Sequence, residues 1–174
     1  MNFSSLSLNN HLLQSLADQD YQQPTPIQRQ AIPAILAKKD IMAGAQTGTG
    51  KTAAFALPIL QLLSDVTESN KVIRALVLTP TRELAQQVYK SIEKYGKYTE
   101  IKSALAYGGV SINPQIAAIN AGAEILVATP GRLLDHLING SVSLDQLEIL
   151  VFDEADRMLD MGFKDEIDNI LKRV

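Results

Sequence analysis

Ala45-Gln46-Thr47-Gly48-Thr49-Gly50-Lys51-Thr52 is the stretch from which the fold is read. A short apolar run, Ile41-Met42-Ala43-Gly44, precedes it, and Ala53-Ala54-Phe55-Ala56-Leu57 follows with helical character. Strand, glycine-bearing turn, Gly-Lys-Thr and helix, in that order, make the layout of a phosphate-binding loop. Glycines let the backbone curl until several N–H groups face one point, and the helix start adds the positive end of its dipole. In such a loop Lys51 reaches the β- and γ-phosphates and the Thr52 hydroxyl holds a magnesium ion. The general pattern opens with glycine, where this chain has Ala45. Gly-Lys-Thr at this offset is rare by accident, so the stretch reads as a nucleotide site rather than a turn with a chance lysine.

The chain has 174 residues, one domain by length, with 46% apolar and 20% charged residues, an ordinary globular balance. The absence of cysteine excludes disulfides, thiolate catalysis and cysteine-type zinc sites, and fits a reducing cytoplasm. Two histidines, His11 and His136, argue against a histidine metal site; His136 lies in a helical stretch and reads as a solvated helix residue. The start, Met1-Asn2-Phe3-Ser4-Ser5, lacks the basic and apolar regions of a signal peptide. The most apolar run, Ala53 to Leu63, is interrupted by Pro58 and Gln61 and is too short to span a bilayer. A soluble cytoplasmic chain without membrane contact is expected. The net charge of −3 does not advertise a nucleic-acid binder, although a local site can be basic on an acidic domain.

Five apolar strand candidates, Ile41–Gly44, Ala75–Leu78, Ser103–Tyr107, Glu124–Ala128 and Ile149–Phe152, alternate with helical stretches such as Arg82 to Lys97, Ile112 to Asn120 and Arg132 to Ile138. That alternation predicts an α/β fold, a parallel sheet with helices on both faces. Ahead of it, Leu8, Leu12 and Leu16 share one helical face, and a second helix begins at Thr25-Pro26-Ile27-Gln28. Thr-x-x-Gln is a capping box and proline suits the first turn, so on local grounds Gln28 is a cap before it is a ligand.

Two strands end alike: Ala75–Leu78 runs into Thr79-Pro80-Thr81-Arg82, and Ile125–Ala128 into Thr129-Pro130-Gly131-Arg132. Either turn alone is as readily a helix start with a solvated arginine as an anion site. Two copies beside a nucleotide site favour a ligand with several phosphates, for which a polynucleotide backbone fits best. The last strand closes on Asp153-Glu154-Ala155-Asp156. A strand ending in aspartate is the usual partner of a phosphate loop, the carboxylate holding magnesium, and Glu154 beside it can take a proton from an attacking water.

These segments resemble the first RecA-like domain of DEAD-box RNA helicases. Asp153-Glu154-Ala155-Asp156 spells the family name, and Ala45–Thr52 fits the family's form of the phosphate loop, Ala45 included. Pro80-Thr81-Arg82-Glu83-Leu84-Ala85, Gly108-Gly109 and Thr129-Pro130-Gly131-Arg132 match its RNA-contacting motifs in order, and Pro24–Gln28 its adenine-reading segment, with Phe3 as the upstream aromatic. The compact start and Met161-Gly162-Phe163 resemble bacterial members of the RhlE type. The resemblance implies ATP and Mg2+ as cofactors. Phe3, Tyr21, Gln28 and the loop Ala45, Gln46, Thr47, Gly48, Thr49, Gly50, Lys51 and Thr52 would bind the nucleotide, Gln28 reading adenine and Phe3 stacking on it. Thr52 and Asp153 would hold the metal, and Lys51, Asp153 and Glu154 would carry the hydrolysis. Pro80, Thr81, Arg82, Gly108, Gly109, Thr129, Pro130, Gly131 and Arg132 would touch the RNA backbone with little sequence specificity.

Two departures accompany the resemblance. Family members usually place glycine where this chain has Asp20, ahead of Tyr21, and aspartate can take a left-handed helix-end position at some cost. Family domains also continue past Val174 to a Ser-Ala-Thr strand and a second RecA-like domain. Residues 1–174 are therefore expected to form an incomplete N-terminal domain that binds nucleotide but unwinds nothing alone. A DNA helicase or translocase, and a non-catalytic nucleotide-binding module, are the competing functions.

Overall fold

The computed structural model describes residues 2–46, 48–66 and 70–174; Thr47 of the phosphate loop lies outside them. Over the described residues the chain divides into two compact units, one of residues 2–66 with 90–101, the other of residues 70–89 with 102–174.

The first unit is helical. A 3-10 turn, Phe3–Leu6, leads into α1 (Asn10–Asp18), α2 (Pro26–Leu36) and α3 (Lys51–Ser64). Asn9 caps α1, its side-chain oxygen accepting the Leu12 N–H at 3.0 Å. Past the end of α1, Asp20 takes a left-handed φ of 60°, the conformation expected of it, and the Tyr21 N–H returns to the Leu16 carbonyl at 2.9 Å. α3 is apolar nearly all round and buried from Ala53 to Gln61, as a helix without a polar face must be. Leu12, Leu16, Ile32, Leu57, Ile59, Leu60, Leu63 and Ile92 are the unit's largest fully buried side chains.

Ile41–Gly44 does not form the expected strand. These residues lie outside regular structure, Ile41 is 44% exposed and Met42 fully so. Among the described residues their unit holds only helices, and a strand needs a neighbour to satisfy its N–H and C=O groups.

The second unit holds the other four candidates as strands: β1 (Ala75–Leu78), β2 (Ser103–Ala106), β3 (Ile125–Ala128) and β4 (Ile149–Phe152). All pairs are parallel and the order is β2-β3-β1-β4. Helices intervene: α4 (Arg82–Tyr95), α5 (Asn113–Asn120), α6 (Pro130–Asn139), and after β4 come α7 (Ala155–Asp160) and α8 (Lys164–Leu171). Leu76, Leu78, Leu126 and Ala128 point into a core with Ile119, Leu133, Leu137, Met158 and Ile170. Their alternates Ala75, Val77, Ile125 and Val127 are equally buried, the continuous burial of parallel strands. β4 is only partly buried, and among the described residues β1 is its one strand neighbour.

Register decides where the motifs fall. Leu78 stands level with both Ala128 and Phe152, and Ala106 with Ala128. The segments after all four strands therefore emerge on one rim, the carboxyl ends beyond which open α/β sheets bind ligands. The opposite rim is locked by charge: Arg74 donates to Glu124 at 3.0 Å and to Glu148 at 2.5 Å, and Lys71 adds a contact to Glu124 at 3.1 Å. No helix among the described residues is long and apolar enough to cross a membrane.

Candidate nucleotide and nucleic-acid sites

In the first unit, Ala45, Gln46, Gly48 and Thr49 form the turn before α3. Both the N–H and the hydroxyl of Thr49 donate to the Gln46 carbonyl, at 3.3 and 2.6 Å. Gly50 is the N-cap of α3 with φ of 82°, so Lys51 and Thr52 open the helix, where backbone N–H groups and the dipole face outward. This arrangement fits the phosphates of a nucleotide. Gly50 has a second reason to be glycine: a Cβ there would lie 2.3 Å from Nε2 of Gln28.

Gln28 is 2% exposed and both ends of its amide are engaged. Its oxygen accepts the Thr25 N–H at 3.0 Å and its nitrogen donates to the Gly50 carbonyl at 3.0 Å. The capping geometry is thus present, and the amide is tied to the phosphate loop rather than turned to an open face. Phe3, assigned to base stacking, is 4% exposed, because the 3-10 turn folds its ring inward onto Tyr21, with centroids 6.5 Å apart and planes at 23°. The accessible aromatic is Tyr21, 41% exposed, whose hydroxyl lies 3.3 Å from that of Tyr95. Burial, and then the hydrogen bond shared with Tyr21, push the Tyr95 phenol well above its ordinary range.

The second unit gathers the remaining motifs. Pro80, Arg82, Gly108, Gly109, Thr129, Gly131 and Arg132 line one open depression with Asp135 and Phe163. Thr81 caps α4, its hydroxyl accepting the Leu84 N–H at 3.2 Å, and Pro130 is the first residue of α6, buried behind Thr129. Arg82 is half exposed and lies over the Tyr107 ring, 5.7 Å from its centroid. Gly109 has φ of 83°, a conformation a side chain would strain.

Arg132 is different. Only 12% of its side chain is exposed; Nη1 donates to Gln115 Oε1 at 3.2 Å, Nη2 donates to the Val110 carbonyl at 3.0 Å, and Nε lies 3.4 Å from Asp135. Gln115 in turn donates to the Tyr107 carbonyl at 2.9 Å, and its oxygen also meets His136 Nε2 at 3.1 Å. His136 is completely buried, not solvated as its helical position suggested: it faces inward with Leu133 and Leu137, and Ser141 Oγ satisfies Nδ1 at 2.8 Å. Burial, and then the charge of Arg132, hold its pKa below the ordinary value. Tyr107, Gln115 and His136 escaped the sequence reading. The position of His136 one helical turn after Leu133 was the available signal.

At the end of β4 the Asp153 N–H continues the ladder to the Leu78 carbonyl at 2.9 Å, and its side chain is buried. Glu154 caps α7 in a left-handed conformation, φ 57° and ψ 53°, and its carboxylate meets Arg157 at 3.2 Å. A non-glycine residue held there is under backbone strain. Among the described residues, no three His, Asp or Glu side chains are grouped to hold a metal ion.

Residues 25–174 match the DEAD/DEAH box helicase family model. The chain belongs to the DEAD/DEAH box helicase family. It is 48% identical, over 97% of its length, to the DEAD-box ATP-dependent RNA helicase RhpA of Helicobacter pylori (strain B128), covering 33% of that protein. It is 45% identical to the ATP-dependent RNA helicase CshA of Limosilactobacillus reuteri over 99% of its length, covering 34% of that one. The crystal structure of a hypothetical ATP-dependent RNA helicase from Sulfolobus tokodaii superimposes with a TM-score of 0.87 at 41% identity, covering 96% of this chain and 47% of the other. The chain thus spans about a third of the length of the curated helicases it matches, and its α/β fold, with a parallel four-stranded sheet, is the RecA-like one.

Proposed function

We propose that this chain is the N-terminal RecA-like domain of an ATP-dependent RNA helicase, a cytoplasmic enzyme that couples ATP hydrolysis to the unwinding or remodelling of RNA. The observation that carries this reading is the gathering of Pro80 and Arg82, Gly108 and Gly109, and Thr129, Gly131 and Arg132 around one depression. Three segments far apart in sequence converge there with glycines, helix starts and arginine, the inventory of a site that grips a phosphate backbone without reading bases. The names of the relatives favour RNA over DNA.

Lys51 and the first turn of α3 would hold the nucleotide phosphates, and Tyr21, the accessible ring, would pack on the base. Thr52 and Asp153 would bind Mg2+, which supplies charge neutralisation at the phosphates. Glu154 would orient the attacking water and accept its proton. A second RecA-like domain is the expected partner. The greater length of the relatives supports that expectation.

The test is Glu154→Gln in the full-length protein, with ATP hydrolysis measured with RNA, with DNA and without either. RNA-stimulated hydrolysis that falls at least about a hundredfold while ATP still binds is expected. Unchanged hydrolysis, or equal stimulation by DNA, refutes the reading. The 174-residue chain alone should bind nucleotide weakly and unwind no duplex.

A further inference from the structure

The turn Tyr107–Val110 is held from every side. Gln86 donates to the Tyr107 hydroxyl at 3.0 Å and Arg82 covers its ring. Gln115 donates to the Tyr107 carbonyl, and Arg132 to that of Val110. Because the Gln115 nitrogen is committed to a carbonyl, its oxygen can only accept, and it does so twice, from Arg132 Nη1 and from His136 Nε2. That fixes the tautomer: Nε2 of His136 carries the proton and Nδ1 accepts from Ser141. The guanidinium of Arg132 has both terminal nitrogens engaged and little open surface, whereas Arg82 is half exposed.

We propose that Gln115 and His136 are positioning residues and that Arg132 is a strut, together holding the Tyr107–Val110 turn in the shape that receives a polynucleotide backbone, while Arg82 meets the phosphate charge. The proposal rests on the nucleic-acid reading above and divides its residues into two roles. A planar guanidinium is suited to the strut, since one side chain bridges an amide oxygen and a backbone carbonyl at fixed angles that a lysine ammonium cannot span.

The test uses the full-length protein and poly(U). Each direct phosphate contact to a single strand contributes about 0.7 to the slope of log affinity against log salt. Arg82→Ala is expected to lower that slope by about this amount. Arg132→Lys keeps the charge and loses the fork; it should weaken poly(U) binding about tenfold with the slope unchanged. Gln115→Ala and His136→Ala should do the same, and His136→Gln, which retains an N–H donor, should restore binding. Amide hydrogen exchange at Gly108, Gly109 and Val110, measured without RNA, should quicken in Arg132→Lys and Gln115→Ala and stay slow in the β1 and β3 strands. Wild-type-like binding and exchange in Arg132→Lys overturns the proposal, as does an Arg132→Ala slope change equal to that of Arg82→Ala. A wild type that fails to bind poly(U) overturns the functional reading as well, so the two failures are distinguishable.

Discussion

The side-chain amide of Gln28 donates to the Gly50 carbonyl at 3.0 Å, so the first turn of α2 is fastened to the residue that caps α3. Nucleotide binding at the loop and the start of α2 are thereby coupled through one buried group. Gly50→Ala adds a methyl 2.3 Å from that amide nitrogen at a φ of 82°. The left-handed strain alone costs about 1–2 kcal/mol, and the displaced amide leaves the Thr25 N–H without its acceptor. ATP affinity, measured by fluorescent-nucleotide displacement, should drop at least tenfold, and urea unfolding should show a lower midpoint. Retained affinity would show that the Gln28–Gly50 link is dispensable.

Phe3 and Tyr21 separate structure from binding. Phe3 is inside, so Phe3→Ala should cost about 3–5 kcal/mol, the range for a buried aromatic. Tyr21→Ala removes a half-exposed ring and should leave the unfolding midpoint close to wild type while weakening ATP binding severalfold more than GTP binding. If Tyr21→Ala leaves nucleotide affinity untouched and a Phe3 variant of wild-type stability abolishes it, the ring assignment is reversed.

Of the five apolar runs that read as strands, the four from Ala75 to Phe152 each found a parallel partner. Ile41–Gly44 has the same local character, yet among the described residues it pairs with no strand, and pairing is not a property of the four residues themselves. The motif segments on the ligand rim were visible because glycine, proline and arginine punctuate strand ends. Gln115 and His136 were not, since a buried amide and imidazole act only through what they touch, and nothing in their own neighbourhood along the chain names Arg132 or Tyr107. Phe3 and Gln28 show the reverse limit: a motif states that a residue matters to a site and leaves open whether it faces the ligand or the core.

At the opposite rim, Arg74 is 5% exposed, Glu124 is 1% exposed, and their backbones also pair, the Arg74 N–H donating to the Glu124 carbonyl at 2.8 Å. Burial opposes the Arg74 charge, but the hydrogen bonds it donates to Glu148 and Glu124 outweigh it and raise its pKa. Arg74→Met removes a buried partner of the Glu124 carboxylate, which keeps its contact with Lys71, and should destabilise by about 3 kcal/mol. Glu148, half exposed, is a lesser partner, so Glu148→Gln should cost no more than about 1 kcal/mol. Chemical denaturation of the two variants and their double mutant checks both values. A smaller loss for Arg74→Met than for Glu148→Gln would contradict the buried pair as the lock of β1 on β3.

His136 gives the fold a pH dependence whose sign follows from its surroundings. Burial and the nearby Arg132 depress its pKa in the folded state, while Asp135, its neighbour, opposes them more weakly. The unfolded chain, with the ordinary imidazole value of about 6.5, therefore binds the proton first as pH falls. Stability is fully present above about pH 6.5 and declines below it until the lowered folded value is passed. His136→Gln keeps a donor for Gln115 and cannot titrate, so its stability should be flat over the window in which wild type falls. Asp18, whose pKa is lowered by the Tyr98 hydroxyl and then by Lys97, contributes with the same sign only in the more acidic carboxylate range and does not overlap that window. Urea midpoints collected from pH 7.5 to pH 5 for wild type and His136→Gln compare the two curves directly. Parallel curves would mean that the imidazole gains a proton in place, with Ser141 turning its hydroxyl to accept from Nδ1 and donating to the His136 carbonyl 3.1 Å away.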